Sequence, residues 1–257
     1  MKENGKLFII GIGPGEINGM SRRAYSALES ADFVVGYKKY IELVSSLIQG
    51  KNVSSNGMTG EIERCLEAFE LACRGHKVAL ICSGDSGVYG MSSPLLEIAS
   101  GKKSVEIEII PGVSAAMSGG AILGSPIAHD FATISLSDAL TPWAVIEKRL
   151  KYSAKADMCI VLYNPMSHKR KDTLFRACGI LLNEISGETV CGIAKNIGRE
   201  GEEREICTLQ ELQNKQLDMF STVYIGNSMT KRIKVIINNS EKEYMVTPRG
   251  YLEKYEV

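Results

Sequence analysis

Short apolar, β-branched runs alternate along the chain with stretches in which apolar residues return every third or fourth position. The runs at 6–10, 33–35, 77–82 and 105–110 predict strands, as do those at 133–136, 158–163, 190–194, 222–225 and 231–237. Between them, Ala24, Tyr25, Leu28 and Ala31 share one helical face behind Ser21, a residue type that caps helix starts. Further helices are predicted at 37–48 and at 61–74, the latter with Ile62, Leu66, Phe69 and Cys73 as its apolar stripe and Gly75 at its end. The stretches 114–123, 143–152 and 172–184 complete the helical set. Alternation of this kind predicts an α/β fold, namely two α/β domains with largely parallel or mixed sheets and a ligand cleft between them. The Gly- and Pro-rich stretch 120–127 sets the boundary, giving an N-terminal α/β domain over 1–124 and a C-terminal one over 125–257.

Composition narrows the class. The chain has 257 residues with 30 Lys plus Arg against 30 Asp plus Glu, so it lacks the basic surplus that nucleic acid demands. Its longest apolar runs fall far short of the ~20 residues needed to cross a bilayer, and the polar start at 1–6 carries no signal-peptide pattern. The seven cysteines are scattered with no CxxC pair, which argues against zinc, iron–sulfur clusters or a disulfide framework. Reduced thiols in a cytoplasmic protein are the expectation, with no membrane and no nucleic-acid partner.

Four loops have unusual composition: 11–15, 84–90, 111–115 and 163–165. Each follows a predicted strand, where open α/β sheets place ligands. Glycine there lets backbone approach a ligand, although glycine and proline also serve merely to turn a chain. A dinucleotide fingerprint fails, because Glu16 stands where glycine or alanine is required and no acid closes the second strand at Val34, Val35 and Gly36. Ile9 and Ile10 likewise replace the acid that a classical Rossmann methyltransferase carries before its first glycine, and no Walker A motif is present.

Taken in order, Gly11-Ile12-Gly13-Pro14-Gly15, Ser83-Gly84-Asp85-Ser86-Gly87-Val88-Tyr89-Gly90, Pro111-Gly112-Val113-Ser114-Ala115 and Tyr163-Asn164-Pro165 resemble the tetrapyrrole methylase family, the class III S-adenosylmethionine-dependent methyltransferases. The resemblance runs from Leu7 to about Ile237. The stretch His129-Asp130-Phe131 through Trp143, and Tyr163-Asn164-Pro165 leading to Arg170 and Leu174, resemble the branch that methylates ring carbon C17 and contracts the macrocycle. The resemblance implies a homodimer that binds S-adenosylmethionine in the cleft and acts on a precorrin, with or without cobalt. It implies that Gly84, Asp85, Val88, Ser114 and Ala115 lie along the cofactor, joined by Asn164, Ala194, Asn196, Thr222 and Val223 from the second domain. It places Gly13, Pro14 and Gly15 beside the tetrapyrrole trough. Ser86 departs from the family, which often has proline there and so shapes that turn differently.

Methyl transfer from a sulfonium is an in-line displacement that expels a neutral thioether, so alignment matters more than acid catalysis. Ring contraction does need a proton donor or acceptor. His129 and Asp130 are the candidates, followed by Asp138, against the alternative of loop residues that only cap or pack. Asp85 is expected to bind cofactor polar groups rather than move protons. A polycarboxylate substrate calls for cations. Arg22-Arg23, Lys38-Lys39 and Lys169-Arg170-Lys171 stand nearest the loops, Arg22 being the chosen contact and solvated surface charge the alternative for the rest. His76 reads as structural, His168 as part of a basic cluster, and Met20, Met91 and Met117 as packing. Competing functions are methylation of another corrin carbon or of ribosomal RNA, a non-catalytic S-adenosylmethionine- or nucleotide-binding domain, and a nicotinamide-dependent oxidoreductase.

Overall fold

The computed structural model describes residues 5–57, 59–102, 105–167 and 170–255. They divide into two units, Met1–Ala115 and Ala116–Val257.

The first unit runs β1 (Lys6–Gly11), α1 (Arg22–Ser30), β2 (Phe33–Tyr37), α2 (Lys38–Leu43), β3 (Asn52–Asn56), α3 (Glu61–Cys73), β4 (Lys77–Cys82), α4 (Ser92–Ala99) and β5 (Glu106–Ile110). Its sheet has the order β3-β2-β4-β1-β5, and every neighbouring pair is parallel. Side chains alternate across it. Phe8, Ile10 and Ile81 pack with Ala24, Leu28 and Val44 on one face, while Leu7, Ile9 and Leu80 pack with Cys65, Ala68 and Phe69 on the other. Burial on both faces is why these strands read as unbroken apolar runs. Ser21 caps α1 as expected, its hydroxyl accepting the Ala24 N–H at 3.2 Å.

Two expectations need correction here. Helix α3 buries Cys65, Ala68, Phe69 and Ala72, so of the expected stripe Phe69 is buried and Cys73 half-buried, while Ile62, 55% exposed, and Leu66 are not. Small residues let the helix approach the sheet closely, so the bulkier Ile62 and Leu66 are left at its flank. The helix expected over 37–48 ends at Leu43, and the polar strand β3 follows. Arg64, buried on α3, anchors the end of β3 by hydrogen bonds to the Asn56 side chain and, at 2.9 Å, to the Gly57 carbonyl.

The second unit contains α5 (Ala115–Leu123), β6 (Gly124–Ser125), β7 (Phe131–Ser135), α6 (Trp143–Lys155), β8 (Cys159–Tyr163), α7 (Thr173–Leu182), β9 (Val190–Lys195), β10 (Glu203–Thr208), α8 (Leu209–Leu212), β11 (Ser221–Ile225), β12 (Lys231–Ile237), β13 (Ser240–Val246) and α9 (Tyr251–Tyr255). Its main sheet, β10-β9-β11-β8-β7, is mixed: β7 and β8 are parallel, while β11 runs antiparallel to β8 and β9. Helices α6 and α7 cover one face through Ile146, Leu150, Leu174 and Leu181. Helix α5 covers the other. A Cβ on Gly119 would lie 2.5 Å from the Tyr224 hydroxyl, and one on Gly192 would lie 2.7 Å from Leu123. The Tyr224 hydroxyl donates to the Ala116 carbonyl at 3.1 Å. This packing is why the division falls before α5, whereas the sequence pattern places the boundary after it, at 124/125. A hairpin of β12 and β13 joins β6 in a small second sheet.

Candidate functional site

In the first unit the carboxyl ends of five parallel strands share one edge. Loops 11–15, 83–90 and 111–115 leave from β1, β4 and β5, which are adjacent. The Ile12 N–H donates to the Cys82 carbonyl at 2.8 Å, and Gly13 and Gly84 exchange backbone hydrogen bonds of 3.1 and 2.7 Å. Gly13 and Gly84 adopt left-handed φ values of 78° and 66°, which suit glycine. A Cβ on Gly112 would lie 2.1 Å from the Gly84 oxygen and 2.5 Å from that of Gly11. Backbone thus packs on backbone where the loops diverge, with no side chain between.

Asp85 ties these loops together. Its Oδ1 accepts the Gly87 and Val88 N–H groups at 2.8 and 3.2 Å, and its Oδ2 accepts the Gly112 N–H at 3.0 Å. Both carboxylate oxygens therefore serve the protein itself, a scaffolding role that the sequence alone did not reveal. Ser86, buried, donates its hydroxyl to the Ile110 carbonyl at 3.2 Å, so this departure from the family adds a tie between β4 and β5. Val88 and Val113 present exposed apolar side chains on the two loops, while Ser114 is buried and Ala115 half-buried. Pro14 closes over Gly19 beyond Gly13, and Gly15 is half-buried.

Of the nearby cations, Arg23 is committed to Glu108 through Nε and Nη2 at 3.0 and 2.7 Å. Lys6 meets the same carboxylate at 2.8 Å, and hydrogen bonds from Lys6 and Arg23 hold the Glu108 carboxyl below its usual range. Arg22 is exposed. Lys169 and His168 lie outside the described residues.

In the second unit, β7, β8 and β9 end where β11 begins. Ser135 pairs with Tyr163, Thr222 with Ala194, and Ser221 with Lys195. Asn164 and Asn196, both left-handed at φ 53° and 49°, follow β8 and β9 at this edge. Asn164 Nδ2 donates to Ser135 Oγ at 3.0 Å, and Asn196 Nδ2 donates to the Gly201 carbonyl at 3.2 Å. The Tyr163 hydroxyl accepts the Ala116 N–H at 2.8 Å. Ala194 and Thr222 are buried. Val223 packs its side chain into the α6–α7 core, so it has only backbone to offer a ligand.

His129 and Asp130 are not brought to that edge. The Cys159 N–H donates to the Asp130 carbonyl at 3.2 Å, which sets both residues level with the start of β8. At about 3.3 Å per residue, strand β7 carries them roughly 16 Å from Ser135. His129 Nδ1 accepts the Asp130 N–H at 2.8 Å, closing its own loop, while the Asp130 side chain stays 87% exposed. Asp138 does lie beyond the carboxyl end of β7, and its Oδ1 meets Arg170 Nη1 at 3.4 Å. Among the described residues no three His, Cys, Asp or Glu side chains are grouped to hold a metal, and no helix is long and apolar enough to cross a membrane. All seven cysteines are free.

Glycine-lined loops at the carboxyl edge of a parallel sheet, in a chain with a second, mixed-sheet unit, give the architecture of an α/β protein with its ligand position at that edge. Residues 6–213 match the tetrapyrrole (corrin/porphyrin) methylases, and the chain belongs to that family. It is 45% identical over 246 residues to the probable cobalt-factor III C(17)-methyltransferase of Salmonella typhimurium, covering 95% of this chain and 99% of that one. It is 41% identical to the cobalt-factor III methyltransferase of Priestia megaterium, covering 98% of this chain and 46% of that longer protein. The crystal structure of the methyltransferase CobJ superposes with a TM-score of 0.85 at 30% identity, covering 95% of this chain and 100% of that one.

Proposed function

We propose that the chain is an S-adenosylmethionine-dependent C-methyltransferase that methylates C17 of cobalt-factor III and contracts its ring, a step in corrin synthesis. The observation that carries this reading is near-full-length identity of 45% to a relative named a probable cobalt-factor III C(17)-methyltransferase. The first-unit loops fit the cofactor on their own geometry. Close backbone packing at Gly11, Gly84 and Gly112 leaves a small-residue floor, and Val88 and Val113 add exposed apolar surface. When bound, the cofactor supplies an electrophilic methyl on a sulfonium. Asp85 fixes the loop that carries Val88, and Ser114 and Ala115 follow from the neighbouring strand. Asn164, Ala194, Asn196, Thr222 and Val223 form the second unit's contribution, while Gly13, Pro14, Gly15 and Arg22 serve the tetrapyrrole.

The chain's task in the transfer is alignment and exclusion of water, since a neutral thioether leaves without protonation. Ring contraction needs a proton donor or acceptor, and of the three candidates Asp138 stands at the edge near Asn164, whereas His129 and Asp130 do not. We also read the protein as a cytoplasmic homodimer. Zero formal charge puts up little repulsion between copies.

Calorimetry against S-adenosylhomocysteine, with NAD as control, tests the cofactor. Anaerobic turnover of cobalt-factor III with S-adenosylmethionine tests the reaction, with mass spectrometry expected to show one added methyl group. A protein that binds S-adenosylhomocysteine but methylates only the metal-free precorrin-3B would correct the substrate. Binding of NAD alone would overturn the class.

A further inference from the structure

We propose that Arg170 grips a carboxylate of the substrate and that Asp138 positions its guanidinium, an assignment that rests on the methyltransferase reading above. The first observation is where the two residues stand. β7 and β8 are parallel and end side by side at Ser135 and Tyr163, and the loops that follow carry Asp138 and Arg170. This is the carboxyl edge at which Asn164 also lies.

The second observation is how firmly Arg170 is held and how loosely its charge is used. Its N–H donates to the Ser167 carbonyl at 3.0 Å, and its own carbonyl accepts the Ser167 N–H at 3.1 Å. The buried Thr173 hydroxyl reaches the Arg170 carbonyl at 3.3 Å and the Pro165 carbonyl at 2.6 Å. The backbone is therefore pinned from both sides. The side chain is 28% exposed, and among the described residues its guanidinium meets Asp138 through Nη1 at 3.4 Å. A charge-assisted pair normally closes to about 2.8 Å and is often bidentate. Arginine carries five donors in a planar fork matched to a carboxylate. Other arginines of this unit are committed differently. Arg204 and Arg232 donate to the backbone carbonyls of Ile122 and Ile206, and Arg176 stacks on Trp143 at 4.0 Å. Arg170 thus offers a preset, partly buried fork with donors to spare.

The third observation is the chemistry around it. Leu140, on the same loop as Asp138, is 98% exposed. Ser135 Oγ accepts N–H groups from Asn164 and Ser137, at 3.0 and 3.2 Å, and so keeps its own proton to donate. An exposed apolar side chain, a guanidinium and a hydroxyl donor carried at one sheet edge suit an apolar ring edged with carboxylates. Asp138 leaves little net positive charge there, which favours a monoanionic carboxylate over a dianionic phosphate.

The test compares wild type with R170A, R170K and D138N. Each is titrated with uroporphyrin III, which carries eight carboxylates, and with its octamethyl ester, following the porphyrin absorbance. S-adenosylhomocysteine affinity is measured in parallel by calorimetry. R170A is expected to weaken octa-acid binding by about tenfold to a hundredfold, the loss expected for a hydrogen bond to a charged group. Ester binding and S-adenosylhomocysteine affinity should not change. R170K should recover part of the loss, and D138N should reduce acid-over-ester preference with an unchanged melting temperature. Equal loss of acid and ester would make Arg170 a structural residue and overturn the proposal, as would a wild type that does not prefer the acid. Wild type failing to bind S-adenosylhomocysteine would instead strike the methyltransferase reading itself.

Discussion

Removing the Asp85 carboxylate probes how the loop proposed to hold the cofactor is built. Its two oxygens accept three backbone N–H groups, from Gly87, Val88 and Gly112, at 2.8 to 3.2 Å. Gly87 and Val88 are exposed, so water replaces the carboxylate at those donors in Asp85→Ala. Gly112 is half-buried and crowded by the Gly84 and Gly11 carbonyls, so its N–H is the one poorly resupplied. A lost hydrogen bond to a charged group costs about 1.5–3 kcal/mol, and the two exposed donors add little. We therefore expect Asp85→Ala to lose about 2 kcal/mol. For a chain of this size that lowers Tm by roughly 4–8 °C and leaves the protein folded. Loosening the turn that presents Val88 should weaken S-adenosylhomocysteine by about tenfold, equivalent to about 1.4 kcal/mol. Asp85→Asn discriminates further, because its amide keeps an acceptor for Gly87 but turns an N–H donor toward Gly112. Thermal unfolding and calorimetry on both variants decide the matter. Affinity within twofold of wild type, alongside the lower Tm, would separate Asp85 from ligand binding. An unchanged Tm would refute the hydrogen-bonded tie itself.

Gly112→Ala places a Cβ 2.1 Å from a backbone oxygen that cannot rotate away, so we expect a loss of about 3 kcal/mol or more. Gly57→Ala, with nothing within 4 Å, should stay within about 0.5 kcal/mol, and chemical denaturation compares them. His129→Ala and Asp130→Ala should keep kcat/KM within about twofold, since both residues stand at the far edge of the sheet from Asn164; a tenfold drop in turnover would return them to the site. Burial pushes the Cys65 and Cys207 thiols up to about 11 and those of Cys82 and Cys178 up to about 12, from an ordinary value of 9.0. The unfolded chain therefore gives up these protons first. Their stabilising effect is complete below about pH 9 and is lost as pH rises through about 11–12, so urea midpoints should fall steadily across that window. At pH 8 a thiol reagent should label Cys73, the half-buried one, and reach the six buried thiols only after denaturation.

The parts of this molecule that were legible in its sequence are those whose physics is local. β1, β2 and β4 lie inside a parallel sheet packed on both faces, and such strands announce themselves as apolar runs. β3, with the sequence Asn-Val-Ser-Ser-Asn, sits at the sheet's edge and has no such pattern to show. The buried face of α3 is rotated from the stripe its spacing suggests: Cys65, Ala68 and Ala72 join Phe69 against the sheet, while Ile62 and Leu66 stay exposed. Glycine marked the loops correctly, yet the residue that binds two of them together is Asp85, whose partner Gly112 lies 27 positions away and left no trace in local composition.

Distance along the chain and distance in the fold part most clearly at the candidate acid. His129 and Asp138 belong to one recognisable stretch, and proximity in sequence invites a shared role. Five residues of helix span about 7.5 Å, and a side chain bridges that easily. The same five residues of extended strand span about 16 Å, which exceeds the reach of a histidine. β7 therefore puts His129 and Asp130 at one edge of its sheet and delivers Ser135 and Asp138 to the other. There Asp138 meets Arg170, 32 positions distant, because β8 runs parallel to β7 and ends in register with it. The pairing of two strands, more than the spacing of residues, decides which side chains share a site.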